Sequence, residues 1–141
     1  MNNYIQQILR LVGLAQIVLA LGSLAIPQVL KWRAELAKVQ PLIKQMFWTY
    51  AAYIFVINLC FGLISLFDFD ELSNSSHLSI LLTAFIAVYW ISRVLIQFFY
   101  FDRSNFPSGK WNHFAEIVLV TLFVCLSVVY SWVCYANLNH V

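Results

Sequence analysis

The chain alternates between long apolar stretches and short polar segments. Four stretches stand out, and they run over Leu11–Leu30, Met46–Phe67, Leu78–Phe101 and Phe114–Tyr135. Each has roughly the 20 residues that an α-helix needs to cross a hydrocarbon core about 30 Å thick. Because lipid offers the backbone no hydrogen bonds, such segments must be helical. The pattern therefore predicts an all-α fold, a four-helix transmembrane bundle with up-down antiparallel topology, as one integral membrane domain over residues 1–141.

Composition supports the same class of protein. The chain is 62% hydrophobic and only 10% charged, whereas about a quarter of the residues of a soluble domain are charged. A net charge of +2 gives no basis for nucleic-acid binding. The three cysteines, Cys60, Cys125 and Cys134, all fall within predicted spans and lack metal-binding spacing, so we expect free buried thiols.

Lysine and arginine are distributed unevenly among the connecting segments. The second loop contains none, and Arg10 is the only one on the same side of the membrane. The positive-inside rule then places loops one and three in the cytoplasm and both termini outside, as a multi-pass protein that we expect in a bacterial inner membrane. The six basic residues on the cytoplasmic side are Lys31, Arg33, Lys38, Lys44, Arg103 and Lys110.

The first loop combines these charges with an apolar stripe at helical spacing. The pattern predicts a basic amphipathic interfacial segment after the first span, bent or ended before Pro41. Lys31, Arg33, Lys38 and Lys44 would then contact anionic lipid headgroups. A solvated loop whose charge only sets the topology is an equally open alternative. The stripe consists of Trp32, Leu36, Val39 and Ile43.

Arg93 is the only basic residue within the predicted spans. It lies about nine residues, or roughly 13 Å at helical rise, from the end of the third span. A charge at this depth costs several kcal/mol unless it snorkels, pairs or lines a cavity. Gln97 and Tyr100 follow at helical spacing, so the third span carries a polar stripe on one face.

Glu116 is the only acidic residue within the spans, and His113 precedes it by three positions. Since spans three and four are antiparallel neighbours, Arg93 could reach Glu116. Two interpretations stay open: an ion pair that fixes helix register, or a ligand-binding pocket. The pocket would be formed by Arg93, Gln97, Tyr100, His113 and Glu116.

The spacing of His113 and Glu116 also suits a metal ligand pair on one helix face. A metal site in a helical bundle needs further inward carboxylates, and the other spans have none. Asp102 could only complete a mixed loop cluster, and the outer-side acids and His140 are better explained as solvated charge. We therefore predict no metal and no cofactor.

Four spans of this size also occur in small multidrug exporters and microsomal glutathione transferases, so the chain resembles both in architecture. The exporters depend on a glutamate in the first span, where this chain has only Gln16 and Gln28 as hydrogen-bonding amides. The transferases carry an Arg/Asn/Glu set on the second span, where this chain has only Asn58 as a strongly polar residue. Architecture alone does not assign a function.

Three functional hypotheses follow from the sequence. The first is a non-enzymatic membrane protein that acts as a subunit or assembly partner, as a homo-oligomer or within a membrane complex. The second is a lipid- or quinone-binding site, with or without catalysis, at the cytoplasmic side of spans three and four. The third is a small transporter, which would require Glu116 to be reached from both sides of the membrane.

Overall fold

The computed structural model describes residues 2–101 and 109–139. Within these ranges the chain forms helices and no strand, which confirms the predicted all-α fold class. The helices are α1 (Asn2–Ser23), α2 (Ile26–Val29), α3 (Trp32–Leu36), α4 (Pro41–Phe67), α5 (Phe69–Leu72), α6 (His77–Phe99) and α7 (Lys110–Leu138).

Four helical stretches are long and apolar enough to cross a membrane. They contain between 23 and 29 residues, and at about 1.5 Å per residue even the shortest extends about 35 Å. The chain is therefore a small multi-pass membrane protein. The stretches are Asn3–Val29, Pro41–Phe67, His77–Phe99 and Lys110–Leu138.

The helices extend beyond the apolar stretches from which they were predicted. Helix α1 begins at Asn2 rather than near Leu11, because Ile5 and Leu9 are buried and continue its packed face toward the N-terminus. Helix α4 begins at Pro41 rather than Met46. Proline is well tolerated in the first turn, where its missing N–H would have had no helical partner.

The first span is interrupted near Pro27. Helix α1 ends at Ser23, and the short helix α2 has Pro27 in its first turn. Lys31 then adopts a left-handed backbone conformation with φ 52°, and α3 follows directly. The chain therefore changes direction over a few residues before α4.

The interfacial segment is helical over a shorter range than its apolar stripe suggested. Helix α3 ends at Leu36, well before Pro41, and Val39 lies at a bend after it. Ile43 belongs to α4. The stripe is therefore divided between two helices and does not form one continuous helical face.

The chain contains two compact units. The first, Leu9–Phe67, contains α4 and most of α1. Its helices pack antiparallel through Gly13 and Gly62, where the two backbones approach closely. A Cβ atom at Gly13 would lie 2.7 Å from the backbone nitrogen of Leu66 and 2.9 Å from the carbonyl oxygen of Gly62. Only glycine permits this approach, as at many helix contacts in membranes.

This first unit also contains two amide side chains with buried polar atoms. Gln16 is fully buried, and within the described residues neither its Nε2 nor its Oε1 has a hydrogen-bond partner. The Oδ1 atom of Asn58 is likewise buried without a partner there. Burying a polar group without a hydrogen bond is costly. These amide groups therefore destabilise the packing unless they find a hydrogen-bond partner.

The second unit joins residues 68–101 and 109–139 to the first residues of α1. Helices α6 and α7 pack antiparallel, and the rings of Trp90 and Phe123 lie at the centre of their contact. Its buried hydroxyls bond within their own helices: Thr83 donates to the carbonyl of Ser79 at 2.6 Å and Ser127 to that of Phe123 at 2.8 Å. Such bonds satisfy hydroxyls that have no water to bind.

The connection between α4 and α6 is fixed by side-chain amides. Asn137, buried near the end of α7, donates a hydrogen bond to the carbonyl oxygen of Leu72 at 2.8 Å. Gln6 donates to Asp70 at 2.6 Å. Ser76 caps α6 by accepting a hydrogen bond from the backbone N–H of Ser79. These bonds hold α5 against the ends of its neighbours.

Replacing Gly13 should weaken the packing of α1 against α4. Because a Cβ at Gly13 meets backbone atoms that cannot rotate away, we expect Gly13→Ala to lower the free energy of unfolding by about 1–3 kcal/mol. The unfolding midpoint in detergent, followed by circular dichroism, measures this. Gly22→Ala is the matched control, since a Cβ there meets nothing within 4 Å and alanine favours helix by up to about 1 kcal/mol. Equal effects of the two substitutions would contradict the close approach.

Candidate functional site

Four of the predicted site residues lie toward the end of the α6–α7 pair where α6 ends and α7 begins. Arg93 and Gln97 are separated by one helical turn, share a face of α6 and are both half-buried. His113 and Glu116 lie in the first turns of α7. Antiparallel pairing therefore brings both polar sets to the same end of the unit.

Arg93 interacts with an aromatic ring. Its guanidinium carbon lies 5.6 Å from the centre of the Phe123 ring. The Trp90 ring contacts the same phenylalanine, with ring centres 5.4 Å apart and planes inclined by 31°. A cation over an aromatic ring gains about 2 kcal/mol when both groups are removed from water. The contact therefore offsets part of the cost of placing Arg93 within a span.

Glu116 is enclosed, whereas His113 is open to its surroundings. The side chain of Glu116 is 13% exposed and that of His113 is 76% exposed. The Nδ1 atom of His113 lies 3.9 Å from the Oε2 atom of Glu116, which is too long for a direct hydrogen bond. The pair therefore combines an enclosed carboxyl group with an accessible imidazole, and a protonated imidazole would attract the carboxylate at this distance.

These two residues line a groove with an apolar wall, called here the α6–α7 groove. Its volume is about 200 Å³, enough for a small polar group and too little for a lipid chain. The wall continues onto side chains exposed on the outer surface of the helices, including Phe98 and Ile117. The lining residues are Phe98, His113, Glu116, Ile117, Val120 and Thr121.

The structure brings together only part of the predicted pocket. His113 and Glu116 line the groove, while Arg93 and Gln97 are not among its lining residues. Tyr100 caps the end of α6, is 81% exposed and packs its ring near Phe101. Within the described residues Arg93 forms no ion pair with Glu116, because its guanidinium lies over Phe123 instead.

The basic residues predicted to contact lipid headgroups all lie at the surface of the first unit. Lys31, Arg33, Lys38 and Lys44 are exposed. They differ in their partners, since Lys38 forms a salt bridge of 2.8 Å with Glu35. Within the described part of the chain, Lys38 therefore differs from the other three basic residues in having an acidic partner.

Metal-ligating side chains do not cluster in the part of the chain that the structure describes. No group of three or more His, Cys, Asp or Glu residues there is placed to hold a metal ion. Asp102 and His140, which the sequence offered as further ligands, lie outside the described residues, as does Arg103.

Sequence reasoning did not identify Phe123 or Asn137. Both lie on the buried face of α7, where burial recurs every three or four residues. That periodicity could have placed them on the packed face, and the short α6–α7 connection could have set Phe123 opposite Arg93. The buried amide of Asn137 could also have been recognised as needing a hydrogen-bond partner.

Comparison with known proteins identifies no relatives: no family model, no curated protein and no solved structure matches the chain. The function is therefore argued from the chemistry of the site alone.

Phe123 should couple energetically to Arg93. We expect Phe123→Leu to lower the free energy of unfolding in detergent by about 2–3 kcal/mol, because it removes contacts with both Arg93 and Trp90. Phe99→Leu is the control, since Phe99 is 85% exposed and its loss should cost about 0.5 kcal/mol or less. In a double-mutant cycle, Arg93→Met should cost about 1–2 kcal/mol less when Phe123 is already leucine. An unchanged cost in the two backgrounds would contradict the cation–π contact.

Proposed function

We propose that this protein binds the polar head of a membrane amphiphile, a lipid or a quinone, in the α6–α7 groove. The observation that carries the proposal is the His113–Glu116 pair at the wall of an otherwise apolar groove near the end of two membrane-spanning helices. Ionisable residues within spans are costly and occur mostly where they serve a function.

The groove suits a head that carries hydroxyl, amine or carbonyl groups. The carboxyl group of Glu116 accepts hydrogen bonds from a hydroxyl or an amine, and the imidazole of His113 can donate or accept one. Phospholipid heads and quinols share these groups and differ in what they do next, since only a quinol can release protons and electrons. The enclosed position of Glu116 strengthens such bonds by lowering the local dielectric constant.

The apolar wall suits the tail of the same molecule. Phe98 and Ile117 contribute to the groove and remain about half exposed. A chain leaving the groove would lie along them and continue among the surrounding lipid chains. The volume of about 200 Å³ therefore needs to accommodate only the head.

Arg93 contributes a positive charge farther along the helices. It lies over Phe123, one helical turn beyond Val120 of the groove wall. Its field extends through a medium of low dielectric constant and favours electron-rich atoms of a bound head. Arg93 thus supports the site without lining it.

A second proposal keeps the role of a non-catalytic subunit or assembly partner. It is favoured by large aromatic side chains that are exposed at the same end of α6 and α7. Phe99, Tyr100 and Trp111 are each more than 80% exposed. Such rings suit the membrane interface and would equally suit a helix of a partner.

Native mass spectrometry of the protein released from detergent separates these proposals. We expect one small adduct per chain, whose mass identifies a lipid or a quinone, and whose redox difference spectrum distinguishes the two. Glu116→Gln and His113→Ala should each reduce adduct occupancy at least about tenfold, the loss of one or two charge-assisted hydrogen bonds. Asp68→Asn is the matched control, because Asp68 is an exposed carboxylate away from the groove.

An adduct retained equally by Glu116→Gln and Asp68→Asn would place binding elsewhere and refute the groove. A discrete oligomer without any adduct would instead support the assembly proposal.

We also propose the orientation in the membrane that the sequence predicts. With loops one and three in the cytoplasm, the groove opens toward the cytoplasmic side and α5 lies outside. Both termini would then be outside, in the inner membrane of a bacterium. The support for this orientation is the bias of lysine and arginine along the chain.

Cysteine labelling in intact cells tests the orientation. In a background with Cys60, Cys125 and Cys134 replaced by alanine, a membrane-impermeant maleimide should label His77→Cys directly. It should label Lys38→Cys only after the cells are permeabilised. Both positions are exposed in the structure, so access depends on the side of the membrane. The reverse pattern would invert the topology, and the cysteine-free parent controls for background labelling.

A further inference from the structure

Three aromatic rings fix the short helix α3 against the start of α4. The ring of Trp32 meets that of Phe47 edge to face, with centres 4.7 Å apart. Its centre lies 5.9 Å from that of Trp48, and Phe47 and Trp48 lie 6.5 Å apart. Edge-to-face pairs of this kind stabilise a contact beyond the area that they bury. Trp32, Phe47 and Trp48 are called here the aromatic cluster.

Three exposed cations lie close to the aromatic cluster along the chain. Lys31 and Arg33 flank Trp32 in the chain, and the left-handed conformation of Lys31 sets the entry into α3. Lys44 precedes Phe47 and Trp48 by three and four residues on α4, so all three share one face of that helix. Side chains of an α-helix lean toward its N-terminus, which for Lys44 is the end of α4 that follows α3 in the chain.

Lys38 belongs to the same segment and differs from the other three cations. It forms a salt bridge of 2.8 Å with Glu35, its neighbour at i−3, and both side chains are largely exposed. Glu35 is the only acid among residues 31–45, against four basic residues. The internal pair therefore cancels one positive charge and leaves a positive surface around the aromatic cluster.

The length and charge of α4 favour a position of its start at the level of lipid headgroups. Helix α4 has 27 residues, about 40 Å at helical rise, whereas the hydrocarbon core is about 30 Å thick. The helix is therefore longer than the core, and its first turns, with Lys44, are the end whose charge suits the headgroup region. Tryptophan prefers this boundary because its ring is apolar and its N–H is polar.

We propose that Lys31, Arg33 and Lys44, held around the aromatic cluster, form a binding site for the phosphate-bearing head of an anionic phospholipid. Arg33 offers the planar fork of donors that matches phosphate oxygens, and the two lysines add point charges. The Glu35–Lys38 pair keeps the fourth charge out of the site. This site lies in the Leu9–Phe67 unit and does not depend on the α6–α7 groove.

Reconstitution into nanodiscs of equimolar phosphatidylglycerol and phosphatidylcholine tests the site. Native mass spectrometry counts the lipids of each kind that stay bound, and we expect wild-type protein to retain phosphatidylglycerol preferentially. Lys31→Gln, Arg33→Gln and Lys44→Gln should each lower that preference about fivefold, the effect of one surface cation near an anionic lipid. Each variant is first checked for unchanged helical content and melting temperature.

Lys38→Gln is the matched control, because it removes the same unit of charge from the same segment. We expect it to change the preference less than twofold, since the ammonium group of Lys38 is bonded to Glu35 and donates no hydrogen bond to the proposed site. Glu35→Gln releases Lys38 and should raise the preference. The small effect of Lys38→Gln beside the fivefold effects of the other three substitutions would not follow from net charge alone.

Three outcomes would overturn the proposal. Lys38→Gln could lower the preference as much as the other three substitutions, which would reduce the effect to a count of charges. Wild-type protein could retain the two lipids equally. Soluble glycerol phosphate could compete with the retained lipid at equal concentration, which would show a site for free phosphate rather than for a membrane lipid.

Discussion

The hydrocarbon core cannot form hydrogen bonds, and this constraint decides where each polar group of the spans lies. Hydroxyls such as those of Thr83 and Ser127 bond to carbonyls of their own helix and are thereby neutral in the packing. Asn137 solves the same problem across elements by bonding to the carbonyl of Leu72. Polar groups whose hydrogen bonds are all made within the protein stabilise the fold. Few polar residues of the spans are then left as candidates for a functional role.

The remaining charged residues differ in their position along the spans and in the groups that they contact. Arg93 lies over the ring of Phe123, so its charge is stabilised without being cancelled. Glu116 lies near His113 in a groove with apolar walls. Lys31, Arg33 and Lys44 are exposed cations near the aromatic cluster of the first unit. The two binding proposals both rest on a charged group beside an aromatic or apolar surface.

Hydropathy predicted the fold class and the four spans because burying an apolar stretch in lipid needs no knowledge of its neighbours. It placed the starts of α1 and α4 too late. The extra turns of α1 are helical because Ile5 and Leu9 pack against neighbouring residues. Helix α4 can begin at Pro41 because the first turn of a helix tolerates proline. Hydropathy could not predict the contact of Arg93 with Phe123, because it does not fix the rotation of a helix about its axis. His113 and Glu116 were found since their spacing alone puts them on one face.

The absence of an ion pair between Arg93 and Glu116 has a physical reason. A buried pair gains from its own attraction but loses the hydration of both ions, so it contributes little net stability. A cation over a ring needs no second ion and can still attract a ligand. If Arg93 and Glu116 were paired, each would cancel the field that the other presents to the groove. Their separate partners keep a carboxyl group at the groove wall and a positive charge beyond it, a polarity that would orient the head of the ligand that we propose.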